Sequence, residues 1–206
     1  MRMANSGKAL AALAGVACLA LLASASSTQA EPKQAGTSSV AARRIERGKY
    51  LVTIMSCNDC HTPYKMGANG PEPDMSRMLS GHPAGMKLPP PPKPVGPWVV
   101  SFLGTNTAFA GPWGITYTSN LTPDKNTGLG IWTEDMFLKA MKTGKHMGTS
   151  RQIQPPMPWP WIGQATDEDL KAMFAYLKSI PPISNRVPDW EPPAAAAPEK
   201  AAPKKK

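Results

Sequence analysis

Apolar residues recur at helical spacing in three stretches of the chain. From Val40 to about Met55, Ile45, Val52 and Met55 lie seven and three residues apart, and Leu51 lies four before Met55. Arg43, Arg44, Arg47 and Lys49 fall between or before them. That period predicts an amphipathic helix, with Ser39 as a fair N-cap. Gly48 sits inside it, where glycine costs about 1 kcal/mol relative to alanine. A close approach by another helix is the expected reason. The second stretch, Glu134 to about Thr143, puts Phe137, Leu138 and Met141 on one face. Thr133 caps it, acidic residues open it and lysines fall near its end, as the helix dipole favours. Gly144 ends it. The third starts at Thr166-Asp167-Glu168-Asp169, a capping-box-like run. Leu170, Met173, Phe174 and Leu177 form its apolar face, and Pro181-Pro182 stops it near Ser179 or Ile180.

The ground between reads differently. Prolines and glycines crowd residues 62–115, including Pro89-Pro90-Pro91-Pro92 and Gly111-Pro112, and little regular structure is expected there. Trp98-Val99-Val100 and Ala108-Phe109-Ala110 are still apolar, so the segment reads as a long loop wrapping a core. A short strand pair is expected near Trp98–Leu103 and Ile115–Ser119. Leu121-Thr122-Pro123-Asp124 and Gly128-Leu129-Gly130 are turn chemistry. Gln154 to Trp161, with four prolines, predicts a stiff, extended loop.

The ends set the domain plan. Arg2 and Lys8 precede an uncharged apolar run, Ala9 to Ala23, and Thr28-Gln29-Ala30 offers a small-residue cleavage site. Residues 1–30 therefore read as a secretory signal. The run falls short of the ~20 residues a spanning helix needs, so no transmembrane anchor is expected after cleavage. Lipidation at Cys18 is the lesser alternative, because the apolar run continues past that residue. Residues 31–39 read as a flexible leader, 40–186 as one folded domain and 187–206 as a disordered Ala/Pro/Lys tail. Loss of Arg2 and Lys8 lowers the formal net charge of +9 by two. The remaining basic surface reads first as a solvated one, and second as a means of steering acidic partners or docking an anionic membrane face. No basic run carries interleaved aromatics, so nucleic acid is not an expected partner.

Cys57-Asn58-Asp59-Cys60-His61 organises the rest. C-x-x-C-H is the attachment signal for c-type haem. Two thiols at this spacing reach the two vinyl groups of one haem, and the histidine that follows is tethered beneath the iron. One haem c per chain, covalently attached through Cys57 and Cys60 with His61 on the iron, is the expectation. Two other chemistries use such cysteines. A zinc half-site wants a second ligand pair, and no other cysteine remains once Cys18 is discarded. A thioredoxin-like pair wants a βαβ context, whereas the residues before Cys57 look helical.

An iron with one protein ligand has a sixth position to fill, and its occupant decides between electron transfer and gas or peroxide chemistry. The candidates are the methionines, His82 and His146. Met157, on the proline-rich loop between the second and third helices, is favoured, with Met147 next. Met66, Met75, Met78 and Met86 lie within 62–115. For each methionine, core packing or plain exposure is the competing reading. His82 and His146 read as ordinary loop and helix-end histidines.

The order of these parts resembles class I cytochrome c: a helix with Gly48 and Tyr50, the Cys57–His61 motif, a methionine in a proline-rich loop, and a helix with Ala175-Tyr176-Leu177. Tyr117-Thr118-Ser119-Asn120-Leu121-Thr122-Pro123-Asp124, Gly128-Leu129-Gly130-Ile131-Trp132 and Pro155-Pro156-Met157-Pro158 are similar to the cytochrome c modules of the cytochrome subunits of membrane-bound alcohol and aldehyde dehydrogenases. The resemblance spans roughly residues 40–185. It implies a mainly α cytochrome c fold, several helices around one haem, and the long Pro/Gly-rich insertion 62–115 after the haem motif is a departure from the family pattern. It implies terminal helices crossing near right angles, with Gly48 against an aromatic such as Phe174 or Tyr176. It implies Met157 as the distal iron ligand, and Trp132 either near a propionate or simply in the core. Those dehydrogenase subunits carry three haem motifs and this chain carries one, so a stand-alone single-haem cytochrome is expected.

The functional expectation is an electron carrier in the periplasm, not an enzyme, exchanging electrons with a dehydrogenase, an oxidase or another cytochrome. The alternatives are an electron-accepting subunit of an exported dehydrogenase, with 62–115 as its docking surface, and a haem enzyme or gas sensor with an open sixth site.

Overall fold

A computed structural model describes residues 35–193, with side chains from Ser39 onward. The signal-peptide reading, Cys18 and the final lysines lie outside the described residues. Helix α1 (Ala35–Ile54) begins five residues before the expected Val40. Residues 35–39, read from sequence as leader, therefore belong to its first turns. After Ser56, in the left-handed region, the haem motif itself forms the one-turn helix α2 (Cys57–His61). Helix α3 (Glu134–Thr143) and helix α5 (Asp167–Ser179) fall where the periodicity predicts. The caps are those expected. Thr133 Oγ1 accepts from the Met136 amide at 3.2 Å, Thr166 Oγ1 accepts from the Asp169 amide at 3.1 Å, and Gly144 closes α3 in the left-handed region.

α1 and α5 pack on each other at Gly48. A Cβ there would stand 1.9 Å from the Ala172 carbonyl oxygen and 2.9 Å from Tyr176 Cβ. Of the two aromatics expected against Gly48, Tyr176 is the one present. Phe174 faces the other way and packs on Phe137, ring centroids 5.4 Å apart. Leu51 and Val52 of α1, Phe137 and Met141 of α3, and Leu170, Met173 and Leu177 of α5 are buried in one cluster. Seven side chains of this size, each worth ~1.5–3 kcal/mol when buried, make that cluster the main support of the fold.

Arg47 also ties α1 to α5. Its Nε and Nη2 donate to the two carboxylate oxygens of Asp169 at 2.9 and 3.2 Å. The guanidinium holds the Asp169 carboxyl below the ordinary carboxylate range. A depressed folded-state value means that this contribution is present above the unfolded pKa of ~3.9 and is lost as pH falls through the folded one. Asp169→Asn is therefore expected to lower stability by roughly 0.2–1 kcal/mol at neutral pH. The gap should close in acid denaturation below about pH 3.9, as measured by urea midpoints across pH.

Residues 62–117 hold more regular structure than their composition suggests. β1 (Tyr64–Gly67) and β2 (Gly70–Pro73) form a hairpin with Tyr64 opposite Pro73. β3 (Ser101–Phe102), β4 (Ala108–Gly111) and β5 (Gly114–Tyr117) form a three-stranded antiparallel sheet. The two predicted strands are present, but they do not pair with each other. β4, built from the apolar Ala108-Phe109-Ala110 run, lies between them. Pro89 to Pro92, which cannot donate amides to a ladder, lies along this sheet instead and shares a groove with Phe102, Phe109 and Ile115.

Two further expectations are corrected. Gln154–Trp161 is not extended throughout: it turns at Pro155-Pro156, and Trp159–Ile162 forms a short helix, α4, with Pro160 in its first turn, where a missing amide costs nothing. The ordered chain also runs past residue 186. Ile115 and Glu191 exchange backbone hydrogen bonds at 2.9 and 3.0 Å, and Trp190 Nε1 donates to the Trp113 carbonyl at 2.8 Å. A large indole and a free strand edge give this part of the tail a partner that its Pro-rich composition conceals.

Candidate haem-binding site

The turn that opens α2 displays Cys57 and Cys60 on a single helical turn, followed directly by His61. Both thiols are unpaired and half-buried. Burial pushes the Cys57 thiol up to about 11 and raises Cys60 as well, with the Asp59 carboxylate adding to each. A disulfide-exchanging C-x-x-C pair needs a low-pKa thiolate, and these two are held as neutral thiols. Among the described residues no group of three or more His, Cys, Asp or Glu side chains is arranged to hold a metal ion.

His61 is buried, and its Nδ1 donates to the Ser119 carbonyl at 2.7 Å. Burial lowers its pKa, outweighing the opposing pull of that carbonyl, so the ring is neutral at neutral pH. With the proton committed to Nδ1, the lone pair lies on Nε2, which has no hydrogen-bond partner among the described residues. A neutral imidazole fixed through one nitrogen and free at the other is the form a metal ligand takes. The α2 end is itself tied down. Gly81 N donates to the His61 carbonyl at 2.7 Å, and Thr62 Oγ1 bridges Asn58 Oδ1 and the Leu79 amide at 3.0 and 2.9 Å. Gly81 has φ +78 and a Cβ on it would sit 2.4 Å from the Thr118 oxygen, so only glycine fits. These residues suit a covalently held haem: two neutral thiols, one pre-oriented imidazole and an apolar wall.

The methionines separate by exposure. Met66 and Met75 are 77% and 59% exposed, too open for a closed iron site, and Met86 is exposed as well. Met147 is half-buried in a 3-10 turn, itself at positive φ. Met157 is half-buried and packs against the same core cluster as Cys57, as does Met78. The fold thus brings Cys57, Cys60 and His61 together on one helical turn, and Met157 shares with Cys57 alone of these the packing against the core cluster. Trp132 packs on that cluster too and meets the His146 ring edge-on, 5.0 Å between centroids.

His82 is where sequence reading fell short. It is not an ordinary loop histidine. It is fully buried, its Nδ1 is 3.0 Å from Thr107 Oγ1, and its ring lies 4.9 Å from that of Tyr117. Asn120, buried beside Ser119, was also missed as a single residue. The Thr-Ser-Asn-Leu-Thr-Pro-Asp string containing it was the available signal.

No protein-family model matches the chain. Among curated proteins it is 26% identical over 174 residues to the fructose dehydrogenase cytochrome subunit of Gluconobacter japonicus, covering 84% of this chain and 29% of that protein. It is 28% identical over 150 residues to the gluconate 2-dehydrogenase cytochrome c subunit of Pantoea cypripedii, covering 72% of this chain and 26% of that one. It is 26% identical over 148 residues to the cytochrome c subunit of the quinone alcohol dehydrogenase of Gluconobacter oxydans, covering 70% and 24%. The chain spans about a quarter of the length of these relatives. The chain, with its C-x-x-C-H motif on α2, is thus similar over most of its length to the cytochrome c subunits of dehydrogenases, a likeness that implies a cytochrome c fold.

Proposed function

We propose that the chain is an exported, single-haem c-type cytochrome that carries electrons between redox partners and performs no bond chemistry on a substrate. The observation that carries this reading is His61, oriented by Ser119 with Nε2 free, directly after two neutral, unpaired thiols on the same turn. Bound haem c would supply a one-electron ferric/ferrous couple there. Cys57 and Cys60 would hold it through thioether sulfurs, and His61 through a nitrogen and Met157 through a sulfur would bind its iron. The core cluster and α3 keep water from the site, and the N-terminal signal delivers the chain to the periplasm, where thioether attachment takes place. Among the described residues no helix is long and apolar enough to cross a membrane.

The test is the mass of the purified mature chain after co-expression with a cytochrome c maturation system. One added haem that survives denaturation, and is lost in the Cys57→Ser/Cys60→Ser double variant, is the expected result. An unmodified wild-type chain would end the proposal.

A second reading, an electron-accepting subunit of an exported dehydrogenase, draws on two observations. The relatives are dehydrogenase subunits, and the segment before β3 leaves Val95, Trp98, Val99 and Val100 exposed, with Phe102 of β3 beside them. An apolar run of that kind suits a protein partner, here the catalytic subunit of the dehydrogenase.

A further inference from the structure

The hydrogen bond that orients His61 ends on a backbone carbonyl, so the ligand is only as well placed as the Ser119 peptide. Several side-chain hydrogen bonds surround that peptide, and most involve residues after α5. Asn120 is buried, 3% exposed. Its Nδ2 donates to the Ile183 carbonyl at 2.8 Å, and its Oδ1 accepts from the Thr122 amide at 2.9 Å and the Thr122 hydroxyl at 2.7 Å. Thr122 Oγ1 in turn accepts from the Ile183 amide at 3.0 Å. Two residues on, Asn185 Nδ2 donates to the Ser80 and His82 carbonyls at 2.7 and 2.8 Å, and its Oδ1 accepts from the Ala84 amide at 2.8 Å.

The two asparagines grip the two segments that meet at His61. Residues 79–82 bond to 118–121 through His82 N to the Thr118 carbonyl, 2.9 Å, and Leu121 N to the Leu79 carbonyl, 2.8 Å. Gly81 N reaches the His61 carbonyl itself. Residues 183–185 lie across this pair and are then carried on to β5 by the Glu191 bridge.

We infer that residues 183–191 form a strap that fixes the Ser119 carbonyl, and that Asn185, Asn120 and Thr122 are positioning residues for the proximal ligand, setting how strongly His61 donates to the iron. This rests on the haem reading above. A firm Nδ1–H···O=C bond makes the imidazole more basic and favours the ferric state. Loosening the strap weakens the bond and raises the midpoint potential. Plain fold support would alter melting alone.

The experiment uses the haem-loaded mature chain and compares wild type with Asn185→Ala, Thr122→Val and Thr122→Ser. Two quantities are read: the midpoint potential, and the solvent-exchange rate of the His61 Nδ1 proton by NMR of the diamagnetic ferrous protein. Asn185→Ala removes three side-chain hydrogen bonds, and Thr122→Val removes the buried hydroxyl at constant shape. Both are expected to speed that exchange about tenfold or more and to raise the potential, while Thr122→Ser, which keeps the hydroxyl, leaves both at wild-type values. Should either variant fail to hold haem, the other decides, and two such failures with normal haem loading in Thr122→Ser would show the strap to be a folding element only. Unchanged exchange and potential in folded Asn185→Ala and Thr122→Val would overturn the inference. A wild type that takes up no haem would instead overturn the functional reading beneath it.

Discussion

Met157→Ala is expected to convert a closed iron site into an open one. In wild type the half-buried thioether is proposed to fill the sixth position, and its sulfur favours the ferrous state over a nitrogen or oxygen donor. Alanine removes the donor and leaves a gap that water or a small gas can enter. The variant should still carry haem through Cys57 and Cys60, because the thioethers do not depend on the distal side. Its midpoint potential should fall, and its reduced form should bind carbon monoxide readily. Redox titration and carbon monoxide difference spectra read both effects. Met147→Ala and Met78→Ala serve as controls, since each removes a half-buried methionine with a lesser claim on the iron. Transfer of the effect to Met147 would move the distal ligand to the turn after α3.

Gly48→Ala carries the largest expected cost in stability. The added Cβ meets the Ala172 carbonyl oxygen at 1.9 Å and Tyr176 Cβ at 2.9 Å. Both are fixed on α5, so the helices must part rather than a flexible side chain swing away. Overpacking of this kind costs about 1–3 kcal/mol or more, against a helix-propensity gain of ~1 kcal/mol from replacing glycine. A net loss of up to about 2 kcal/mol should appear as a lowered urea midpoint. Surface substitution of Lys49 by alanine, one residue on and exposed, should stay within about 0.5 kcal/mol.

Features whose cause is local were legible in the sequence. The haem motif is five contiguous residues. The caps at Thr133 and Thr166 and the stop at Gly144 act over three or four residues, and the faces of α3 and α5 follow from period alone. Gly48 announced a helix crossing, though not that Tyr176 rather than Phe174 would fill it. What escaped was set by distant partners. β4 was seen as an apolar stretch, yet its place between β3 and β5 depends on long-range pairing that no local pattern encodes. The segment through Trp190 and Glu191 looked like tail because its prolines and alanines form no element of their own. Its order comes from the open edge of β5. His82 and Asn120 are buried polar residues satisfied across the fold, at least in part, and such burial leaves no periodic trace. The same holds for the proximal carbonyl: His61 was readable, but Ser119 as its acceptor required the fold.

The proposed haem iron of the wild-type protein gives the most direct test. The measurement is the visible and near-infrared absorption of the oxidised form, followed by reduction under carbon monoxide. The account predicts a low-spin ferric spectrum with the weak sulfur-to-iron charge-transfer band, and a ferrous form that leaves carbon monoxide unbound. A high-spin ferric spectrum, or prompt carbon monoxide binding on reduction, would contradict it and point to an enzyme or gas sensor with an open sixth site.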